Sequence, residues 1–418
     1  MFRLENGFGD FTTQVNNYDT LEKKGLKNIK TLKRFINTPD YDKSVKTFTI
    51  SDVELITKIP RSSIRDKEKN GDLKYDSQDT VSEHPKKCYN TFDINIIRSF
   101  FKRGFFNGEI NRPNTLDPIV IAVSMFKGGV GKTTHSTHLA AHLCLQGLRT
   151  LIVDLDPQAS ASFVFGYIPS VDIESGETIL NALLESPKDI KKVIKNTYYK
   201  GLDIITSGLE LQSADLLLPD MAHNNYTKLG SPLLRLYRAL NEIKKGYDVI
   251  ILDCAPNHAA TTMNALVAAN GIIIPIAPNM LSYGSSIQFI HTLKDLAATI
   301  MRYDANINNN DKYNEHEIIQ SCKNSLFRIL ITNDPGDKEA QDVSAAIRAL
   351  YGDFVLPRPM CRTIALSRSS NDMGLLYDIK RTKVRGSKEA FDRGIQSMKS
   401  INEDILTLLK TMWGIKNE

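Results

Sequence analysis

The chain has little of what builds crosslinks or metal cages. Its 418 residues include five cysteines, Cys88, Cys144, Cys254, Cys322 and Cys361, and no two of them form a Cys-x-x-Cys pair. Without a Cys/His cluster at ligand spacing, a zinc module, an iron–sulfur centre and a disulfide scaffold are excluded. Scattered thiols fit a reducing cytoplasm. No basic start followed by an apolar core opens at Met1, so no signal peptide is read there. No apolar run reaches the roughly 18 residues of a membrane span. The run 271–277, Gly-Ile-Ile-Ile-Pro-Ile-Ala, reads instead as a buried strand. Low-complexity sequence is nearly absent, apart from an Asn-rich stretch at 306–310 that suits an exposed loop. The last forty residues hold no tyrosine, which argues against a tyrosine autokinase tail.

What is present is ordinary globular material, 41% hydrophobic and 24% charged, with a net charge of +5. Such a length has room for two or three domains. The mild basic excess suits phosphate or nucleic-acid partners without requiring them. Residues 1–45 are polar and Lys-rich. Leu21, Leu26, Ile29, Leu32, Phe35 and Ile36 recur at helical spacing, which predicts an amphipathic helix. That helix either packs on the next domain or pairs with a second copy. Residues 46–105 are compact and basic, and 106–117 read as a linker rich in turn formers.

From residue 118 to 418 short apolar runs alternate with helical patterns. The runs 119–123, 150–153, 202–205, 248–252, 271–276 and 326–331 read as strands buried on both faces. Helices are predicted at 134–145, 228–245, 261–269, 285–301 and 340–350, with Gly147 and Gly246 as left-handed C-terminal caps. This rhythm predicts an α/β fold, a parallel twisted sheet flanked by helices.

The first strand runs into Met-Phe-Lys-Gly-Gly-Val-Gly-Lys-Thr-Thr, followed by a helix. Glycines let a backbone curl so that successive N–H groups face one anion. The helix N-terminus adds its partial positive charge. Lys127, Gly128, Gly129, Val130, Gly131, Lys132, Thr133 and Thr134 are therefore the candidate nucleotide-binding loop. Lys132 would reach the β- and γ-phosphates, and the Thr133 hydroxyl would ligate Mg²⁺. The common P-loop pattern is not met, because Phe126 stands where its first glycine belongs and a second lysine, Lys127, opens the loop. Asp253 ends the strand 248–252, where a carboxylate can hold Mg²⁺. Asp156, in Leu155-Asp-Pro-Gln158, can orient or deprotonate the attacking water and is a further metal candidate. Asp154 is read as a brace for the loop, with a metal-shell role open.

Residues 127–134, Leu151-Ile-Val-Asp-Leu-Asp-Pro-Gln158 and Ile250-Ile-Leu-Asp-Cys-Ala-Pro256 resemble the three signature motifs of ParA-type partition ATPases, within the MinD/ParA group. The resemblance runs over residues 118–410 or so. It implies an ATPase of the deviant P-loop type that cycles ATP and ADP with Mg²⁺ and forms a homodimer sandwich on ATP. Two nucleotides would lie at the interface. Lys127, matching the signature lysine, would reach the partner's nucleotide, and Lys127, Lys132 and Asp156 would carry catalysis. A cation supplied in trans stabilises charge on the γ-phosphate.

In the front domain, Ser51 with Glu54 is read as a capping box opening one helix. Val53, Ile56, Ile59 and Ile64 are a candidate small core. Pro60 opens a second helix and Gly71 ends it. Two short helices across a tight turn resemble a winged helix-turn-helix, with a wing near residues 74–90. Arg61, Ser62, Ser63 and Arg65 start the second helix and are candidates for DNA contact. The larger plasmid-type ParA proteins resemble this whole arrangement, which implies operator binding and autorepression. A second basic stretch, 357–388, offers Arg381, Lys383 and Arg385 for nonspecific DNA.

The leading expectation is a DNA-segregation ATPase in the cytoplasm, associated with the nucleoid and stimulated by a ParB-like centromere-binding partner. A transcription regulator using ATP as a sensed ligand is the second reading. A membrane-surface ATPase of MinD type is the third, and the near-neutral stretch 401–416 disfavours it.

Overall fold

The computed structural model describes residues 11–36, 45–75, 87–109, 111–223, 230–305, 307, 314–321, 325–371, 373–379, 381–384 and 386–415. Within them, seven strands form one sheet: β1 (Ile119–Val123), β2 (Thr150–Leu155), β3 (Ile194–Asn196), β4 (Leu202–Ile205), β5 (Val249–Cys254), β6 (Gly271–Ile276) and β7 (Leu326–Ile331). Their order is β3-β4-β2-β5-β1-β6-β7. Every pairing is parallel except β3 against β4.

The β-branched residues of β1 and β5 are buried on both faces, as parallel strands under two helical layers must be. Alternate positions feed separate cores. Ile119, Ile121 and Val123 join one with Leu139, Leu143, Ile401 and Ile405. Val120 and Ala122 join the other with Leu266, Phe289 and Ile347. The first core lies under the helices Lys132–Leu145 and Lys388–Met412, the second under Ala260–Ala268, Met280–Ala305 and Lys338–Tyr351.

Several elements differ from expectation. The sequence gives no hint of β3, a three-residue antiparallel edge strand. The helix predicted at 228–245 is a short one, Arg235–Asn241, between the 3-10 turns Pro232–Leu234 and Lys244–Gly246; residues 228 and 229 lie outside the described residues. Gly147 has φ +94°, a left-handed cap. Gly246 instead sits in a 3-10 turn and does not adopt positive φ. The helix predicted at 285–301 starts earlier, because the Asn279 side chain accepts the Ser282 N–H at 2.9 Å and caps it. The Asn-rich stretch 306–310 lies outside the described residues except for Ile307.

The front segment folds as helices Ile50–Thr57, Arg61–Lys69 and Thr91–Phe100. The first opens two residues before the predicted box. Its capping pair is Thr49 with Asp52, not Ser51 with Glu54, because Ile50 already begins the helix. Glu54 has another task. Pro60 has no side chain to cap the second helix, and Glu54 accepts the Arg61 N–H at 3.1 Å in its place. Val53, Ile59 and Ile64 are buried, and Ile56 packs against them. Gly71 closes the second helix with φ +75°. Of the predicted wing, residues 76–86 lie outside the described residues, while Tyr89 pairs antiparallel with Phe48.

This segment shares the first core with the sheet. The Lys46 N–H donates to the Tyr198 carbonyl at 2.7 Å, and the Thr91 hydroxyl donates to the Lys200 carbonyl. Residues read as linker are packed as well. Phe105 and Phe106 meet Trp413 edge-on at 5.6 and 5.2 Å, and the Trp413 indole donates to the Asp117 carbonyl at 2.9 Å. Arg112 pairs with the buried Asp248 at 3.3 Å. The helix Phe11–Ile36 behaves differently: Val15, Tyr18, Leu21 and Ile29 are exposed.

Candidate active site

The loop between β1 and the helix Lys132–Leu145 needs two left-handed residues, Gly129 at φ +72° and Gly131 at φ +85°. The constraint at Gly131 is its positive φ; a Cβ there would also lie 2.6 Å from Met360 Cε, the movable end of a side chain. The Lys132 ammonium curls into the loop and donates to the Lys127 carbonyl at 3.0 Å. Burial pushes its pKa down, and Asp253 opposes that.

Asp253 is the next-to-last residue of β5 and is fully buried beside the loop. The Thr133 hydroxyl donates to its Oδ2 at 2.7 Å and the Ser136 hydroxyl to its Oδ1 at 2.9 Å. Asp154 stands opposite it in the β2–β5 register. Burial raises the pKa of both carboxyls, and the charge of Asp253 raises that of Asp154 further. Two buried carboxyls on adjacent strands make a locus that favours a hard divalent cation. Asp253 and the Thr133 hydroxyl are the oxygen donors that fit Mg²⁺. Asp154 is committed elsewhere. It accepts the Asp156 N–H at 3.1 Å, and the N–H and hydroxyl of Ser162 at 2.8 Å each. Asp156 is half-buried in the next loop, where its carboxylate accepts the Gln158 N–H at 2.9 Å.

Lys127 points to its own chain. Its ammonium donates to Asn279 Oδ1 at 3.3 Å and Ser282 Oγ at 3.0 Å. A cavity of about 550 Å³ opens beside the loop, lined by Gly129, Thr134, Asn333, Pro335, Met360 and Arg362 among others. From the end of β7, Thr332 donates to the Val130 carbonyl at 2.6 Å and Asn333 to the Gly129 carbonyl at 2.8 Å.

Ser136, Asn279, Ser282, Thr332 and Asn333 escaped sequence reasoning. Only Ser136 carried a signal, sitting one helical turn beyond Lys132. The other four lie just beyond β6 and β7, more than a hundred residues away.

The DNA candidates are less assembled. Arg61, Ser62 and Arg65 are exposed and Ser63 half-buried at the start of Arg61–Lys69. Arg61 also lies 3.9 Å from Glu54. Arg381 makes a two-pronged pair with Asp392, its closest contact 2.7 Å. Arg385 and the side chain of Lys383 lie outside the described residues.

Comparison with known proteins places these features in a lineage. A family model described as "AAA domain" matches residues 119–308. The putative replication protein A of Rhizobium rhizogenes is 30% identical over 384 residues, 90% of this chain and 90% of that protein. Protein SopA of Escherichia coli strain K12 is 30% identical over 386 residues, 91% of this chain and 93% of SopA. A solved structure described as a partition protein matches with a TM-score of 0.64 at 17% identity, covering 98% of this chain and 100% of its own. At that identity the likeness speaks for the fold.

Proposed function

Because this chain belongs to the ParA/MinD family of partition ATPases, we propose that it is a DNA-segregation ATPase acting on MgATP at the loop 127–134. The observation that carries this reading is the buried Asp253 bonded to Thr133 at the mouth of a two-lysine glycine loop. Backbone N–H groups of Gly128, Gly129, Val130 and Gly131 would cradle the phosphates, with Thr134 at the helix start. Lys132 would move from the Lys127 carbonyl to the β- and γ-phosphates. Thr133 and Asp253 would hold Mg²⁺, with Asp156 as a further candidate; when bound, the ion offsets charge between the β- and γ-phosphates. Asp156 would orient the attacking water. The cavity beside Gly129 and Thr134 suits the nucleoside.

ATP would pair two subunits, with Lys127 of each serving the other's nucleotide. Turnover by the chain alone is expected to be slow, since no arginine finger accompanies that lysine. A ParB-like partner would raise it. The exposed Val15, Tyr18, Leu21 and Ile29 fall on one side of the helix Phe11–Ile36 and would serve self-association. Arg61, Ser62, Ser63 and Arg65 would contact an operator, giving autorepression. Arg381, Lys383 and Arg385 would follow nonspecific DNA, Arg381 after leaving Asp392. The protein would work in the cytoplasm on the nucleoid.

A MinD-like role at a membrane is disfavoured by the helix Lys388–Met412, whose apolar residues Ile401, Ile405 and Leu409 are already buried. Among the described residues no helix is long and apolar enough to cross a membrane.

The test is binding of operator and random DNA by the purified chain with ADP, with ATP and with neither, alongside phosphate release. Two DNA modes that respond to nucleotide, and turnover raised by DNA and a ParB-like protein, are expected. Turnover indifferent to both would favour the ligand-sensor reading.

A further inference from the structure

We propose that His258 is a positioning residue that acts through Phe126 to aim Lys127. The inference deepens the proposed role of Lys127 and rests on it. Phe126 is where this loop departs from the glycine of the common P-loop pattern. Its ring is held on two sides. The His258 imidazole lies against it with ring centroids 3.4 Å apart and planes inclined at 34°. Phe289 meets it edge-on at 4.7 Å. Phe289 is fully buried, so that side is fixed, while His258 is exposed and supplies the outer wall.

The three-ring stack joins two elements that flank the candidate site. His258 belongs to the loop that leaves β5 after Cys254, the neighbour of Asp253. Phe289 belongs to the helix Met280–Ala305, whose first turn carries Ser282 and whose cap is Asn279. Lys127 follows Phe126 in the chain and is bonded to those same two residues. Ring and ammonium of neighbouring residues are therefore seated on one helix, and His258 closes the seat from outside.

The chemistry of the seat suits a cation that must later leave. Both acceptors of Lys127 are neutral oxygens, an amide and a hydroxyl. They orient the ammonium without neutralising it, unlike a carboxylate, which would hold it more strongly. Stacking fixes the Phe126 backbone and so reduces the conformations open to Lys127 before the partner subunit arrives. His258 touches neither phosphate nor water in this scheme; it acts only through Phe126.

The test compares full-length wild type with His258→Ala and His258→Phe. Two readouts are needed. The first is the rate at which the Lys127 amine is acetylated without nucleotide, followed by isotope-coded labelling and mass spectrometry. It does not depend on ATPase activity. His258→Ala should label about two- to tenfold faster, the range set by loss of an aromatic contact, and His258→Phe should label like wild type. The second is turnover with separate kcat and KM. His258→Ala should lose kcat by a similar factor with KM for ATP held within about twofold, and His258→Phe should recover it.

Unchanged Lys127 labelling in His258→Ala would overturn the proposal. So would failure of His258→Phe to restore labelling, because that would assign the effect to the imidazole nitrogens and not to stacking. If labelling follows expectation but wild type releases no phosphate under any condition, the positioning stands and the ATPase reading fails.

Discussion

Acid should loosen this protein through a buried histidine with no polar partner among the described residues. His135, His138 and His142 recur along the helix Lys132–Leu145, and all three are buried. Among the described residues neither ring nitrogen of His135 meets a hydrogen-bond partner. Burial, with a smaller push from His138, lowers its pKa to about 3. An unfolded histidine takes up a proton near pH 6.5, but the folded one does not until about 3. The unfolded state therefore binds more protons across this window. Stability from this residue is complete above about pH 6.5, falls as pH drops through that value, and goes on falling until about pH 3. The slope is about 1.4 kcal/mol per pH unit, so the step from about pH 7.5 to about pH 5.5 costs about 1.4 kcal/mol. Asp154 and Asp253, whose pKa values are raised, act in the opposite sense, so the total response is a poor measure. A difference isolates the term. Urea unfolding of wild type and of His135→Leu at the two pH values should show the variant losing about 1.4 kcal/mol less. Leucine leaves no polar partner among the described residues unsatisfied. Equal losses in the two proteins would refute the argument.

Lys127→Ala should keep ATP binding within about threefold yet lose nucleotide-dependent pairing and turnover, by calorimetry, light scattering and phosphate release; wild-type turnover in that variant would remove the trans role. Gly131→Ala should weaken ATP binding by about tenfold, because alanine is strained at that positive φ; a thermal-shift titration with ATP reads it. Trp413→Ala should cost about 3–5 kcal/mol by urea unfolding, as the Phe105 and Phe106 packing and the Asp117 hydrogen bond go together.

Much of the sheet was legible because parallel strands under two helical layers are continuous apolar runs. β1, β4, β6 and β7 fall where such runs stand. β3 was not, since Ile194-Lys-Asn196 at an edge has no hydrophobic signature. The helix around residue 235 was overextended because Pro232 and Gly246 break a pattern whose periodicity alone suggested continuity. Residues that touch one another locally, such as Lys132, Thr133 and Ser136, are close in sequence and carry a motif. Asn279, Ser282 and Asn333 meet the loop only after the sheet brings distant strand ends together, and no spacing announces that. The linker was read from turn formers; its contact with Trp413 depends on a tryptophan 296 residues beyond Asp117.

The company kept by the helix Lys132–Leu145 has a consequence for how the protein comes into being. Asn402, which donates to the His138 carbonyl, stands 264 residues downstream of it. A chain emerging from the ribosome thus displays all three motifs long before the C-terminal helix can cover its side of that helix, and closure over such separation is slow. A reading frame interrupted before residue 388 would carry every recognisable signature and yet lack the apolar cladding that steadies them. Motif content is then a poor guide to whether a truncated copy of this gene yields a working product.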